Sequence, residues 1–98
     1  GRLLAVDSSS ESFSVASEII AKASIECHNE LKSAPMRLAI KDAPAPTSFG
    51  LTKKYYISSN EIFDAAFDIL NKPKINTQKL FKKDYPHDVP GDWFKGPF

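Results

Sequence analysis

The stretch that decides the fold is Lys41-Asp42-Ala43-Pro44-Ala45-Pro46-Thr47-Ser48, which follows the strand-like run at residues 36–40. Each proline fixes its own φ and restricts the residue before it to extended conformations. Two prolines separated by one residue therefore predict that the chain leaves a strand in an extended loop. The next helix is predicted to begin at Ser58, because Ser58-x-x-Glu61 has the pattern of a capping box.

Upstream of this loop, the chain reads as a strand followed directly by a helix. Leu3-Leu4-Ala5-Val6-Asp7 is an apolar run with little alternation, which is typical of a strand buried on both faces. We expect residues 8–11, three serines and a glutamate, to cap the helix that follows. Strand, helix and second strand then form a right-handed βαβ unit, so the two strands should be parallel.

Apolar stripes predict which residues of the two helices face the core of the protein. In the first helix the spacing places Ile19, Ile20 and Cys27 on one face, and the helix should end before Pro35. Cys27 on that stripe should behave as a small buried hydrophobic residue. In the second helix Phe63 belongs to the corresponding apolar face, and Asn71-Lys72-Pro73 should end it. Residues 42–57 are expected to form a loop.

Residues 72–98 differ in composition from the rest of the chain. Lysines at 79, 82 and 83 precede a segment rich in aromatic residues, proline and glycine. A short helix is predicted over 77–83 and irregular structure over 84–98. We interpret the segment as an arm that docks Trp93 and Phe94 on this domain or on a partner subunit, with a plain solvated tail as the alternative. Aspartates at 84, 88 and 92 dilute the basic charge and argue against a nucleic-acid site.

Composition narrows the possible classes of protein. With 98 residues, 13 basic and 12 acidic side chains and a net charge of +1, the chain has no general attraction for nucleic acid or anionic membrane. Its single cysteine excludes an internal disulfide and a cysteine-based zinc site. No apolar run approaches the ~20 residues that span a bilayer. We expect the chain, which begins at Gly1 without methionine, to be a piece of a longer protein.

Candidate chemical residues each have a simpler structural interpretation. Asp7 stands at the carboxyl end of a predicted parallel strand, where ligands often bind, but capping of the next helix accounts for it. Asp42 is expected to bond to turn N–H groups rather than act in catalysis. Cys27 and His28 form no nucleophile–base pair, since adjacent helical side chains diverge by ~100°. No catalytic, cofactor-binding or metal-binding residue is therefore assigned.

Together these motifs resemble the C-terminal domain of the transketolase-like beta subunit of thiamine-diphosphate-dependent 2-oxo acid dehydrogenases. The family pattern is a small-residue strand ending in an acid, a helix carrying an A-E-I step, a strand ending in D-x-P-x-P, a tyrosine-bearing loop and a helix rich in I/V-x-x-A. The D-x-P-x-P element corresponds to Asp42-Ala43-Pro44-Ala45-Pro46 in this chain. The resemblance covers roughly residues 1–71. It implies an α/β three-layer sandwich with a mainly parallel sheet, of which this chain supplies the later part. Residues 72–98 depart from the family pattern as a C-terminal extension.

The resemblance also implies a function. Residues 1–71 would belong to a non-catalytic assembly domain of a pyruvate, branched-chain or acetoin dehydrogenase, in the cytoplasm or the mitochondrial matrix. Thiamine diphosphate and magnesium would bind elsewhere in the parent enzyme. Its partners would be the alpha subunit, a second beta subunit and the acyltransferase core, with no nucleic acid or membrane. The candidate interface residues are Asp42, Pro44, Pro46, Trp93 and Phe94. Two alternatives stay open: another transketolase-like enzyme of sugar or polysaccharide metabolism, and a free-standing interaction module.

Overall fold

Two parallel strands form the centre of the fold. A computed structural model describes residues 1–77, 80, 89 and 92–97. Strand β1 (Leu4–Ser10) pairs with strand β2 (Met36–Ile40), with Leu4 opposite Met36 and Val6 opposite Leu38. The register then shifts before Ser10 meets Ile40. The parallel pairing predicted for the strand–helix–strand unit is confirmed, and the described residues form a small α/β fold.

Helix α1 (Val15–Glu26) connects the two strands and starts later than expected. The serines at 8–10 lie in β1, so their predicted capping role is wrong. The N-cap is Ser14, whose Oγ accepts a hydrogen bond from the N–H of Ser17 at 3.3 Å. Phe13, just before it, has a φ of 54°, in the left-handed region, which is uncommon for a residue with a side chain. A turn there allows the chain to leave β1 and enter the helix.

Fewer residues of α1 are buried against the sheet than the apolar stripe in the sequence predicted. Ala16 is 2% exposed and Ile20 is half-buried, whereas Ile19 is 47% exposed. Cys27 is exposed as well, because α1 ends at Glu26 and a 3₁₀ turn at His28–Glu30 follows. The expectation that Ile19 is a core residue and Cys27 is shielded is therefore wrong. Small side chains at 16 and 23, rather than the large ones, bring the helix onto the sheet.

A second, short helix interrupts the expected loop between β2 and the last helix. Helix α2 (Phe49–Thr52) contains the buried Thr52, whose hydroxyl donates to the carbonyl oxygen of Phe49 at 2.8 Å. The long loop predicted over 42–57 is thus only partly irregular. The hydroxyl bond satisfies a polar group that would otherwise be buried without a partner.

Helix α3 (Ser59–Ile69) begins where the capping box predicted. Ser58 Oγ accepts from the N–H of Glu61 at 3.3 Å, and the Glu61 carboxylate accepts from the N–H of Ser58 at 2.7 Å. Phe63 is only half-buried and stacks on Phe67 with ring centroids 4.8 Å apart. Asn71, at a φ of 53°, ends the helix, as expected for the segment 71–73.

The core is small and made mainly of short side chains. The buried apolar residues are Ala5, Ala16, Ile40, Ala65 and Ile69. Among the described residues no large side chain is less than 2% exposed. Within the segment 84–98, the described residues 92–97 contain no helix or strand, in agreement with the prediction of irregular structure there. Most of residues 77–91, including the predicted helix and the lysines at 79, 82 and 83, lies outside the described residues.

Candidate functional site

Two aspartates organise the segments that follow the strands: Asp7 lies within β1, and Asp42 lies two residues after the end of β2. Asp7 Oδ1 accepts a hydrogen bond from the N–H of Ser9 at 3.0 Å, and its Oδ2 accepts from the N–H of Ala16 at 3.2 Å. Ala16 lies in the first turn of α1, where backbone N–H groups have no partner within the helix. Asp7 thus contributes to capping that helix, as its structural interpretation predicted.

Asp42 lies at the exit of β2 and binds across to the loop that follows β1. Its Oδ1 accepts from the N–H of Ser12 at 2.9 Å, and its Oδ2 accepts from the Ser12 hydroxyl. The expected role of Asp42 was a bond to N–H groups two residues further on. The observed partner is thirty positions away in sequence instead. We call this pair of hydrogen bonds the Ser12–Asp42 clasp.

Both aspartates are stabilised in the ionised form. Hydrogen bonds from Ser9 and then from Ala16 lower the pKa of Asp7 below the ordinary value. The side-chain and backbone bonds from Ser12 lower the pKa of Asp42, with a smaller contribution from the positive charge of Arg37. At neutral pH each carboxylate is therefore a charged acceptor that the chain itself uses.

Arg37 completes a polar network beside the clasp. Its guanidinium donates to Ser17 Oγ at 2.6 Å and to Glu11 Oε1 at 3.2 Å, and its side chain is 29% exposed. From the sequence, Glu11 was expected only to support the start of the first helix, and no role was assigned to Arg37. The position of Arg37, a charged residue inside a short apolar strand, could have indicated that its side chain has polar partners. The clasp had no such signal in the sequence, because its two residues are related only through the fold.

The proline loop lies next to the clasp. The N–H of Ala43 donates to the carbonyl of Lys41 at 2.7 Å, and the Tyr55 hydroxyl donates to the carbonyl of Ala43 at 3.1 Å. Pro44 is exposed and Pro46 is half-buried. Asp42 and Tyr55 thus hold the start of the loop from two sides and leave Pro44 accessible.

The aromatic residues of the extension form a pair. The rings of Trp93 and Phe94 meet edge to face with centroids 6.0 Å apart. Trp93 is 77% exposed and Phe94 is 42% exposed. Docking of the indole on this domain is therefore wrong, and docking of Trp93 and Phe94 on a partner subunit stays a prediction.

The remaining candidate residues, Cys27 and His28, do not form part of a catalytic or metal site among the described residues. Cys27 and His28 are both exposed at the end of α1. Within the described ranges there is no group of three or more His, Cys, Asp or Glu side chains placed to hold a metal ion. The described helices are also too short or too polar to cross a membrane.

Comparison of this chain with protein-family models, with curated proteins and with solved structures gives no match.

Proposed function

We propose that this chain is a non-catalytic assembly domain of the beta subunit of a thiamine-diphosphate-dependent 2-oxo acid dehydrogenase, of the pyruvate dehydrogenase type. One observation carries the proposal. Two strands pair in parallel through an intervening helix, Asp7 follows the regularly paired part of β1 at Val6, and Asp42 follows β2 and precedes the Pro44/Pro46 loop. This is the arrangement that the resemblance to the family implies.

The finer fold in this proposal is a three-layer sandwich. Successive residues of a strand face opposite sides of the sheet. Asp7 bonds to the N–H of Ala16 in α1, and both α1 and α3 contact the two strands. These contacts support one helix on each face of the sheet. Parallel sheets are normally covered on both faces, so the contacts fit a portion of a larger α/β domain.

An assembly role fits the distribution of apolar side chains. Small residues dominate the core, while Phe13, Val15 and Ile25 are more than two-thirds exposed. Exposed apolar surface of this kind often marks a site of association. In the proposed enzyme it would meet the alpha subunit, the second beta subunit or the acyltransferase core, with Asp42, Pro44, Pro46, Trp93 and Phe94 in the contacts.

The described residues do not fit thiamine diphosphate or magnesium. A magnesium site needs several oxygen ligands grouped together, and within the described residues no three His, Cys, Asp or Glu side chains are placed to hold a metal ion. No catalytic step is therefore assigned to this chain. We predict that titration of the isolated chain with thiamine diphosphate and magnesium in a calorimeter gives no binding heat. Micromolar affinity would contradict the assembly role.

The decisive test combines the coding sequence upstream of Gly1 with an assay of the natural full-length protein. We expect the upstream sequence to carry the beta-type glutamate motif. We also expect the protein, mixed with its alpha subunit, to decarboxylate a 2-oxo acid only when thiamine diphosphate is present. A different thiamine-diphosphate reaction on a sugar substrate would favour another transketolase-like enzyme. Absence of both the motif and a cofactor-dependent reaction would favour a free-standing interaction module.

A further inference from the structure

Phe13 is presented to solvent in a way that a single copy of the chain does not favour. Its side chain is fully exposed, and its φ of 54° lies in the left-handed region. That region is an outlier for a bulky residue, whereas glycine adopts it readily. Strained backbone of this kind concentrates at functional sites. The exposed ring and the strained backbone are therefore two separate indications that Phe13 has a binding partner.

The residues on either side hold Phe13 in place. Ser12 donates to Asp42 through its N–H, at 2.9 Å, and through its hydroxyl. Ser14 is the N-cap of α1, and its Oγ accepts from the N–H of Ser17 at 3.3 Å. The strained residue is thus fixed between two anchored neighbours at the carboxyl end of the sheet. A side chain ordered in advance loses less conformational entropy when it binds.

An apolar cleft opens at the same end of the sheet. It has a volume of about 230 Å³ and is lined mostly by the apolar side chains of Val6, Ile40, Tyr56, Ile57 and Ile62. Three of these, Val6, Tyr56 and Ile62, are each more than one-third exposed, so covering them is favourable. An apolar cavity of ~150 Å³ can hold a benzene ring. The cleft therefore has room for the ring of a phenylalanine.

Phe13 and the cleft are close together in the fold. Ile40 in the wall of the cleft precedes Asp42 by two residues, and Asp42 is bonded to Ser12, the neighbour of Phe13. Within one copy the ring is fully exposed and leaves the cleft open. A two-fold axis midway between the two sites exchanges them. Two copies that face each other with their carboxyl ends can therefore make both insertions at once.

We propose that two copies of this chain form a symmetric dimer in which Phe13 of each copy inserts its ring into the apolar cleft at Val6 and Ile62 of the other. The contact is closed, because each copy uses the same surface. The net charge of +1 gives little repulsion between the copies. Only the identification of the second copy with the second beta subunit rests on the proposed function.

Analytical ultracentrifugation of the 98-residue chain tests the proposal. We expect a monomer at about 1 μM and a dimer at about 1 mM. Phe13→Gly should weaken the association at least ~10-fold, because a few aromatic anchors dominate an interface. The matched control is Ile25→Ala, which shortens another exposed apolar side chain and should change the association less than ~2-fold. Absence of a dimer, or a smaller effect of Phe13→Gly, would overturn the proposal.

The melting temperature of Phe13→Gly separates binding from folding. At about 1 μM, where the chain is monomeric, the variant should melt at the same temperature as the parent chain or higher, because glycine accepts the left-handed conformation. Loss of the dimer is then not a consequence of unfolding. A lower melting temperature would show that Phe13 stabilises the monomer itself and would count against its role as an anchor.

The cleft side of the contact is tested separately. Ile62→Lys places a charge in the cleft and should abolish the dimer, with far-UV circular dichroism showing whether the fold is retained. In a mixture of isotope-labelled and unlabelled parent chains, we expect intermolecular NOEs from the Phe13 ring to the methyl groups of Val6 and Ile62. A folded Ile62→Lys variant that still dimerises, or NOEs to other groups instead, would overturn the assignment of the cleft. None of these measurements uses a cofactor or an activity, so failure of the dimer is distinguishable from failure of the dehydrogenase proposal.

Discussion

Ile69→Ala is the substitution whose cost the structure defines best. Ile69 lies in the last turn of α3 and is 7% exposed. The change removes three buried carbon atoms, each stabilising the fold by ~0.8 kcal/mol. Isoleucine-to-alanine changes in cores cost ~2–5 kcal/mol in total. We expect about 2–3 kcal/mol, because the surrounding core consists of small side chains and the site can partly collapse.

Urea unfolding followed by far-UV circular dichroism measures this effect. For a slope of ~1–2 kcal/mol per molar urea, the midpoint should fall by about 1–3 M. Ile25→Ala is the matched control: it removes the same atoms from a helix, but Ile25 is 81% exposed. Its effect should stay within ~0.5 kcal/mol. If the two variants unfold at the same urea concentration, the assignment of the core is refuted.

Three further predictions follow from the caps and the exposed groups. Ser58→Ala should lower the free energy of unfolding by about 1 kcal/mol through loss of the capping box, whereas Ser59→Ala should leave it nearly unchanged in the same urea assay. Because hydrogen bonds lower the pKa values of Asp7 and Asp42, their contribution to stability is present above the ordinary aspartate pKa. It is lost as pH falls through the lowered values, so the urea midpoint should drop below about pH 4. A midpoint that stays constant from pH 5 to pH 2 would contradict this reasoning, and Asp42→Asn should weaken the pH dependence. Cys27, being exposed, should react with a thiol reagent in the folded protein about as fast as in urea, and slow labelling would contradict its position after α1.

The sequence was most informative where local chemistry decides the structure. The capping box at Ser58 and Glu61 fixed the start of α3, because both partners lie within one turn. The parallel pairing followed from the strand–helix–strand pattern, since such crossovers have few alternatives. The end of α3 near Asn71 was also predictable, because a proline follows it closely.

The buried face of α1 and the position of its N-cap were predicted less well. The apolar stripe of α1 was too broad, since it included Ile19 and Cys27 together with the residues that face the sheet. Periodicity does not show how far a sheet extends beneath a helix, and a helix over two strands covers only a narrow face. The N-cap was placed too early because several serines occur before α1, and only the length of β1 selects Ser14.

The carboxyl ends of parallel strands often hold ligands, and the aspartates at this edge have a different use. Asp7 joins β1 to the start of α1, and Asp42 joins the exit of β2 to Ser12 in the loop after β1. With the bond from Tyr55 to Ala43, the clasp fixes the loop that presents Pro44. A loop ordered in advance loses less conformational entropy when a partner binds. In the proposed assembly domain, these two carboxylates would order this edge in advance of association with another subunit.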